Sequence, residues 1–226
     1  MKKLIFYLAG ILCLILGSCS NTEEYYSCDA ETNDWAKQNF NEIRSMKREQ
    51  WKSLPTELKK KAAFIVFSPE QKLNFWKEKL TETLALDWTE TEKKHIQEVY
   101  DFVISHPQLF SDEEMSDDLR NEMDLFFYKW AEKAQSEFNW EKETIGYIIS
   151  NGNEIEMAKS KNNNRTISIK SSTIDPGLST LDCHCNQKYD FCGSQDSCED
   201  ATCNETSAGC GILLLSSCNG RCSAFG

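Results

Sequence analysis

The sequence predicts a mostly α-helical protein: an irregular helical bundle over residues 30–158, followed by a small disulfide-rich module with short β-strands over residues 181–226. In the first region, helix-capping motifs precede apolar residues at helical spacing. In the second region, eight of the eleven cysteines of the chain lie between Cys183 and Cys222, a density typical of disulfide scaffolds. A hydrophobic content of 40% is enough for a buried core.

The N-terminus has the order of a lipoprotein signal peptide. Lys2 and Lys3 precede an apolar run over residues 4–16, which is too short to span a bilayer as a helix. The segment LGSC, which ends at Cys19, resembles a bacterial lipobox, in which the cysteine is lipidated. We therefore predict that residues 1–18 are removed and that Cys19 carries the lipid. An ordinary signal peptide or a buried helix is the alternative.

A lipid at Cys19 predicts an anchored protein, with the membrane as its first partner. Residues 19–29 form the predicted tether. The acidic pair Glu23 and Glu24 in this tether resembles the surface-export signal of Bacteroidota lipoproteins, although a solvated acidic tether has the same composition. The predicted location is the outer membrane, with the protein exposed at the cell surface.

Capping motifs and apolar faces predict the helices of the first region. Capping boxes begin at Ser68, Thr89 and Ser111, and further helices are predicted near residues 35–46 and 58–67. The apolar faces that follow the boxes consist of Leu73, Trp76, Leu80 and Leu84, then Ile96, Val99, Tyr100 and Val103, then Leu119, Met123, Phe126, Trp130 and Ala134. All six tryptophans fall in this region, where we expect them in the core. A ligand-stacking platform is the alternative.

The helical region contains no catalytic constellation. Its acidic residues alternate with lysine on polar faces, a pattern typical of a solvated surface. His95 and His106 have no metal-ligand spacing and are predicted to be structural or exposed. We therefore predict no enzymatic activity, no catalytic residue, no metal and no cofactor. The net charge of −11 disfavours nucleic acid as a partner, because phosphate binding requires clustered lysine and arginine.

A linker is predicted over residues 159–180. Its first part, KSKNNNRTISIK, contains four basic residues and no acidic one, and the following SSTIDPGLST is rich in loop-forming residues. A short strand is predicted at residues 166–169. Two interpretations remain open, a passive spacer and a processing site that frees the tail.

The disulfide-rich module is defined by its cysteines. A segment this small cannot bury enough apolar surface to fold without cross-links, and the signal peptide directs the chain to an oxidising compartment. We predict disulfides rather than zinc, because the paired CxxC knuckles of zinc sites do not occur here. The predicted disulfide cysteines are Cys183, Cys185, Cys192, Cys198, Cys203, Cys210, Cys218 and Cys222.

The pairing of these cysteines stays open, because eight cysteines allow roughly a hundred pairings. Cys183 and Cys185 are too close to pair comfortably, so each is expected to reach a different partner. His184 stands between them and is the one chemically suggestive histidine, although a redox role for this CxC is a weak signal. Cys28 remains in the mature chain, where it can stay a thiol, pair between molecules or join the tail.

An aliphatic run within GCGILLLSSCNGRC is the candidate contact patch, formed by Ile212, Leu213, Leu214 and Leu215. We predict a short strand here, with Asn219 and Gly220 in the turn beyond it. Alternation in a strand places residues 212 and 214 on one side and residues 213 and 215 on the other. Because so small a module lacks the core to cover both sides, one pair is expected to be exposed to a partner or a membrane.

The tail and the helical region together resemble one protein family. The tail has CHC, GCG before the aliphatic run, and CNGRC, and the helical region has KREQWKSLPTELKKKAAF, SPEQKLNFWKEKL and DWTETEKKHI. Together, these segments are similar to bacteriocin fulvocin C-related proteins over most of the mature chain. The resemblance implies a small, disulfide-stabilised, bacteriocin-like tail of Gram-negative origin, without a known cofactor and without catalytic residues.

The predicted function is therefore that of an envelope-anchored lipoprotein whose bacteriocin-like tail acts in antagonism between bacteria, on a receptor or envelope component of a competitor. Release of the tail is part of this hypothesis. The alternative is a non-toxic surface lipoprotein for binding or recognition. The tail has six acidic and two basic residues, which argues against lysis of anionic membranes and favours receptor binding.

Overall fold

The structure is a computed structural model that describes residues 24–159, 165–170, 185–188, 196–200 and 205–224, without the side chains of residues 159, 196, 197 and 222–224. It confirms a mostly helical protein with a short-stranded, disulfide-bonded C-terminal region. The helices of the described residues are α1 Ala30–Gln38, α2 Phe40–Ile43, α3 Arg48–Lys52, α4 Glu57–Val66, α5 Pro69–Leu84, α6 Glu90–Ser105, α7 Asp117–Phe138 and α8 Lys142–Ile149, with a 3₁₀-helix at Pro107–Phe110. In this described part, no helix combines the length and the hydropathy needed to cross a membrane.

The capping boxes predicted at the starts of α5 and α6 are confirmed. Ser68 accepts a hydrogen bond from the backbone N–H of Gln71 at 3.2 Å, and the Gln71 side chain accepts one from the backbone N–H of Ser68 at 3.0 Å. Thr89 and Glu92 exchange the same pair of bonds. These reciprocal bonds satisfy N–H groups that have no partner within the helix, which explains why both helices begin where they do.

The third predicted capping box, at Ser111, is wrong. Ser111 accepts a hydrogen bond from the backbone N–H of Glu113 at 3.1 Å and thereby closes a local turn. Helix α7 begins instead at Asp117, after Ser116, whose hydroxyl accepts a bond from the N–H of Leu119 at 3.3 Å. Both Ser111 and Ser116 precede this helix, and Ser116, which lies nearer the apolar face, is its N-cap.

The helices enclose one connected core of aromatic and aliphatic side chains. The predicted faces of α5, α6 and α7 all contribute to this core. Five of the six tryptophans are buried and Trp35 is half-buried, which confirms their structural place. Phe75 lies near the middle of one aromatic cluster, with ring centroids 4.7 Å from Trp51 and 5.9 Å from Trp76. Such edge-to-face contacts favour a single packing arrangement.

A β-hairpin follows the last helix, so the helices end at Ile149 and the predicted helical region is wrong over its final residues. Strand β1 (Glu154–Lys159) pairs antiparallel with β2 (Arg165–Lys170), which confirms the strand predicted in the linker. The alternating segment EIEM is the strand signal that the helical prediction overlooked, and it places Ile155 in the core. The hairpin lies against α5 and α8.

The C-terminal region has a second antiparallel pair of short strands, β3 (Asp196–Asp200) and β4 (Gly220–Ala224). Their register places the backbone of Cys198 opposite that of Cys222. Cys185 adds an isolated bridge to Gly220. The short strands that the sequence predicts for this region are therefore present, although not at the aliphatic run.

Candidate functional site

The aliphatic run is the place where the C-terminal region meets the helical core. Ile212–Leu214 forms a 3₁₀ turn, so the predicted strand is wrong. Leu213 is 0% and Leu214 is 4% exposed, whereas Ile212 and Leu215 are half-buried. Two consecutive leucines are thus buried, and the prediction that one alternating pair is exposed is also wrong.

Left-handed backbone explains why neighbouring leucines enter the same core. Leu213 has a φ of 53° and Leu214 a φ of 58°, which costs roughly 1–2 kcal/mol for each residue with a side chain. Gly209 and Gly211, with φ of 102° and 71°, accommodate the sharp changes of direction before the turn. The two glycines of the GCG motif therefore allow the change of chain direction before the turn. Burial stabilises each leucine side chain by about 1.5–3 kcal/mol, which offsets the cost of its left-handed backbone.

Trp76 on α5 holds this turn from the helical side. Its indole Nε1 donates a hydrogen bond to the carbonyl oxygen of Leu213 at 2.9 Å, and both residues are buried. The turn also lies against α8. Gly209 approaches α4 so closely that an added Cβ would lie 3.2 Å from Cδ1 of Ile65. We call residues 209–215 the anchor loop, because these contacts fasten the C-terminal region to the helical core.

The predicted turn at Asn219 and Gly220 is wrong, because Gly220 begins strand β4. The N–H of Gly220 donates to the carbonyl oxygen of Cys185 at 2.9 Å, and the N–H of Cys185 donates back at 3.1 Å. A Cβ at position 220 would lie 2.5 Å from Sγ of Cys198. The glycine is therefore required by the close approach of a disulfide and not by a turn.

Two disulfides lie in the described part of the tail. Cys185 pairs with Cys198 at an S–S distance of 2.03 Å, and Cys210 pairs with Cys218 at 1.97 Å. Disulfide bonding is thus confirmed for these four of the eight predicted cysteines, and the second disulfide closes the anchor loop. The predicted residues that lie outside the described ones are Cys19, Cys183, His184, Cys192 and Cys203, together with the side chain of Cys222.

Cys28 is half-buried and packs against the Cys210–Cys218 disulfide. The two cysteines of the disulfide are only 1% and 3% exposed. Lys61 on α4 approaches from the helical side, with its Nζ 3.5 Å from Sγ of Cys210. The N-terminal segment, α4 and the anchor loop therefore meet at a cluster of three cysteines and one cation.

Three buried cations hold the segment between α8 and β1. Arg48 donates to the carbonyl oxygen of Gly152 at 2.8 Å, Lys60 donates to Oδ1 of Asn153 at 2.8 Å, and Lys79 donates to the carbonyl oxygen of Asn153. Burial lowers the pKa of Lys79 well below its usual value. The sequence does not predict this cluster, because a lysine run such as LKKKAAF is typical of a solvated face.

Glu92 is a buried carboxylate that ties the hairpin to α6. Arg165 on β2 donates to Oε2 of Glu92 at 2.8 Å, and Trp140 donates to Oε1 at 3.0 Å. The backbone N–H of Thr89 adds a bond of 2.8 Å. Burial by itself raises the pKa of Glu92, but the hydrogen bonds from Arg165, Thr89 and Trp140 outweigh it and lower the pKa to about 2. This pairing has no sequence signal, because the partners are 73 positions apart.

The two histidines of the helical region have structural places, as predicted. His95 is buried and stacks on Trp130 with ring centroids 4.7 Å apart, and burial lowers its pKa. His106 is half-buried and stacks on Phe102 at 4.3 Å. Within the ranges that the structure describes, no three metal-ligating side chains come together.

A cavity of about 650 Å³ opens beside the anchor loop. Its floor is apolar and includes Ile65, Val66 and Leu109, to which the C-terminal region adds Leu215. The N-terminal segment closes one side with Tyr26. The volume falls within the range of about 300–1,000 Å³ that small-molecule sites occupy, so the junction of three parts of the chain is also its candidate binding site.

Charged side chains of both signs line this cavity beside its apolar residues. Arg44, Lys72 and Arg120 contribute cations, and none of the three forms an ion pair shorter than 4.0 Å within the described residues. Burial lowers the pKa of the Lys72 ammonium, a sign that water hydrates it incompletely. Four exposed acidic residues, Glu24, Asp112, Glu113 and Glu114, also line the cavity. The lining therefore has charges of both signs, and the incompletely hydrated Lys72 is its candidate contact for an anionic group on a ligand with an apolar body.

Comparison of the chain with protein-family models, curated proteins and solved structures finds no significant match. The fold and the junction therefore define the class of this protein: a mostly helical protein whose disulfide-bonded C-terminal region is anchored in the helical core. The anchor loop and the cavity beside it are the features on which a function can be argued.

Proposed function

We propose that this protein is an envelope-anchored lipoprotein that binds a ligand as one assembled unit, with its C-terminal region retained on the helical domain. The observation that carries the proposal is the burial of Leu213 and Leu214 in the helical core. Moving the C-terminal region away from the helical domain would expose both leucines to water, at a free-energy cost of about 1.5–3 kcal/mol for each side chain. A tail that contributes to the core of its carrier is suited to display rather than to release.

The cavity beside the anchor loop supplies the binding site of this proposal. The desolvated ammonium of Lys72 lies in this lining beside apolar residues, together with cations and carboxylates of other residues. It favours an amphiphilic anion, because a desolvated ammonium gains most from an opposite charge. Anilinonaphthalene sulfonate, a fluorescent apolar anion, is the probe. We expect the full chain to bind it and Lys72→Gln to weaken the affinity roughly five-fold, the effect of about 1 kcal/mol.

Lys94→Gln is the matched control, because Lys94 is exposed on α6 and does not line the cavity. It should leave probe affinity unchanged. Equal affinities for the wild type and Lys72→Gln, with both proteins folded, would refute this binding site.

Retention of the tail is tested by cleavage. A specific protease site placed within residues 171–180 allows the linker to be cut in the folded, oxidised protein. We expect the two fragments to elute together in gel filtration without denaturant and to separate in urea. Separation without denaturant would contradict the assembled unit and would favour the released effector.

Lipid attachment is part of the same proposal and has its own test. We expect metabolic labelling with a fatty acid to mark the wild type and not Cys19→Ala, and we expect protease added to intact cells to degrade the protein. Labelling of both proteins would place the lipid elsewhere, and protection from the protease would contradict surface exposure.

The second candidate function is antagonism between bacteria, which the resemblance to bacteriocin fulvocin C-related proteins favours. The acidic tail argues for a receptor on the competitor rather than for lysis. Growth of related strains is measured with the full chain and with residues 181–226, both oxidised. Inhibition by the full chain supports this candidate, and lack of inhibition at micromolar concentration by either protein removes it.

A further inference from the structure

We propose that Lys60 and Asn153 form an isopeptide cross-link within the chain, with Glu57 as the proton carrier of the reaction. Lys60 lies on α4 and Asn153 lies between α8 and β1, and their exposed fractions are only 1% and 2%. Nζ of Lys60 donates a hydrogen bond to Oδ1 of Asn153 at 2.8 Å. An amine and a side-chain amide are therefore held in direct contact at a place that water barely reaches.

Glu57, one turn before Lys60 on α4, contacts both reacting groups. Nζ of Lys60 donates to its Oε1 at 3.1 Å, and Nδ2 of Asn153 donates to both carboxylate oxygens at 3.1 Å. These distances lie within the roughly 2.6–3.2 Å over which a positioned side chain transfers a proton. The orientation of the amide also fits the reaction, because its carbonyl oxygen faces the amine and its leaving nitrogen faces the carboxylate.

Neighbouring side chains hold the backbone of both reactants in place. Nε1 of Trp51 donates to the carbonyl oxygen of Lys60 at 2.7 Å, and Lys79 donates to the backbone carbonyl oxygen of Asn153. Because a C=O bond is about 1.23 Å long, Nζ of Lys60 lies at most about 4 Å from Cγ of Asn153. That limit is close to the roughly 3–3.5 Å between reacting atoms that favours reaction in a fixed geometry.

Atoms and charges balance without an oxidant or a reductant. Glu57 takes one proton from the Lys60 ammonium, and the amine attacks Cγ of Asn153, whose carbonyl electron pair moves to Oδ1. Glu57 gives that proton to Nδ2 and takes a second proton from Nζ. The electron pair on Oδ1 re-forms the carbonyl as the bond between Cγ and Nδ2 breaks. Ammonia leaves and takes the second proton from Glu57, so the products are an amide bond and one ammonium ion.

The cross-link fastens α4 to the segment that precedes the hairpin, between positions 93 apart in the chain. It also removes the positive charge of Lys60 from the interior, where a buried ion is costly. Helix α4 carries Ile65, which Gly209 of the anchor loop approaches. The helix that receives the C-terminal region is thus joined covalently to the end of the helical region.

Mass spectrometry of the full chain tests the cross-link. The protein is purified in the folded state and then unfolded, reduced, alkylated and digested, so that disulfides do not hold peptides together. We expect a branched peptide in which Lys60 is joined to Asn153, with a mass lower than the sum of the two linear peptides by one ammonia molecule. Recovery of both segments only as linear peptides would overturn the proposal.

Glu57→Gln tests the proton carrier, because glutamine keeps the size of the side chain and cannot carry the proton. It should lower the cross-linked fraction at least about ten-fold. Glu49→Gln is the matched control, since Glu49 pairs with Lys52 at the same spacing in the chain but is exposed, and it should leave the cross-link intact. Equal cross-linked fractions in the wild type and Glu57→Gln, with both folded by circular dichroism, would overturn the role of Glu57. If Glu57→Gln does not fold, the digest of the wild type still decides whether the bond exists.

Discussion

Residues 30–149 bury five tryptophans in a core of their own, whereas the C-terminal region buries its leucines in that same core. Apart from disulfide cysteines, Leu213 and Leu214 are the buried hydrophobic residues among the described positions 185–224. The helical region is thus stabilised by its own apolar burial, and the C-terminal region by cross-links and by a core that belongs to its neighbour. Disulfides therefore fix the local conformation of this tail, whereas hydrophobic burial attaches it to the helical region.

The largest effect is expected from a charge placed in the anchor loop. Leu213→Asp should lower the free energy of unfolding of the helical region by about 4 kcal/mol, because a carboxylate would be buried without a partner. Urea unfolding followed by far-UV circular dichroism measures this change. Leu125→Asp is the control, since Leu125 is 54% exposed on α7, and it should cost less than about 0.5 kcal/mol. Equal, small effects of both changes would show that the tail does not share the helical core.

The two disulfides offer a sharper test of the same comparison. By loop-closure entropy alone, the Cys185–Cys198 link, with a separation of 13, should matter slightly more than the Cys210–Cys218 link, with a separation of 8. We expect the opposite order for helical stability. Replacing Cys210 and Cys218 by serine should cost the helical region about 2–3 kcal/mol.

The matched variant replaces Cys185 and Cys198 by serine and should leave the helical unfolding transition close to that of the wild type, because neither residue lies in the anchor loop. Thermal unfolding followed by circular dichroism separates the two outcomes. A larger loss of helical stability in the variant without Cys185 and Cys198 would mean that the disulfides stabilise the protein through chain entropy and not through anchoring of the loop.

The smallest effect concerns electrostatics within the helical region. The pKa of Glu92 is lowered from its ordinary value of 4.5 to about 2 in the folded state. Its ion pair with Arg165 therefore stabilises the fold fully above pH 4.5, and this contribution is lost as the pH falls through about 2. Glu92→Gln should reduce the free energy of unfolding by about 2 kcal/mol at pH 7 and by progressively less between pH 4.5 and 2.

Glu90→Gln is the control for this titration, because Glu90 is an exposed neighbour on the same helix turn. The free energy of unfolding of Glu90→Gln should differ little from that of the wild type at every pH. Urea unfolding at several pH values measures both variants. A Glu92→Gln difference that does not change with pH would contradict the lowered pKa.

Local signals predicted much of the helical region, and their failures have physical causes. The boxes at Ser68 and Thr89 are confirmed because a reciprocal cap needs only residues three positions apart. Ser111 fails because its hydroxyl closes a turn with Glu113 instead. The hairpin was overlooked because the alternating segment EIEM is short and follows directly on helical periodicity.

The candidate site was predicted in its residues but not in its geometry. The aliphatic run and its cysteines stood out by composition, yet the strand prediction assumed that the tail must cover its leucines by itself. The left-handed backbone at Leu213 and Leu214 overturns that assumption, because it brings neighbouring side chains into one core. The glycines on both sides of Cys210 were the available signal, since they permit such turns.

Local sequence patterns predict where α5 and α6 begin and which of their faces are buried, because caps and periodic faces depend on residues within a few positions of one another. Local patterns do not predict which lysine of a run is buried, which of the described cysteines pair, or where the aliphatic run packs. Those choices depend on contacts between distant parts of the chain, such as Trp76 with Leu213, 137 positions apart. The hydrophobic free energy depends on the apolar area removed from water, and it does not depend on which part of the chain covers that area.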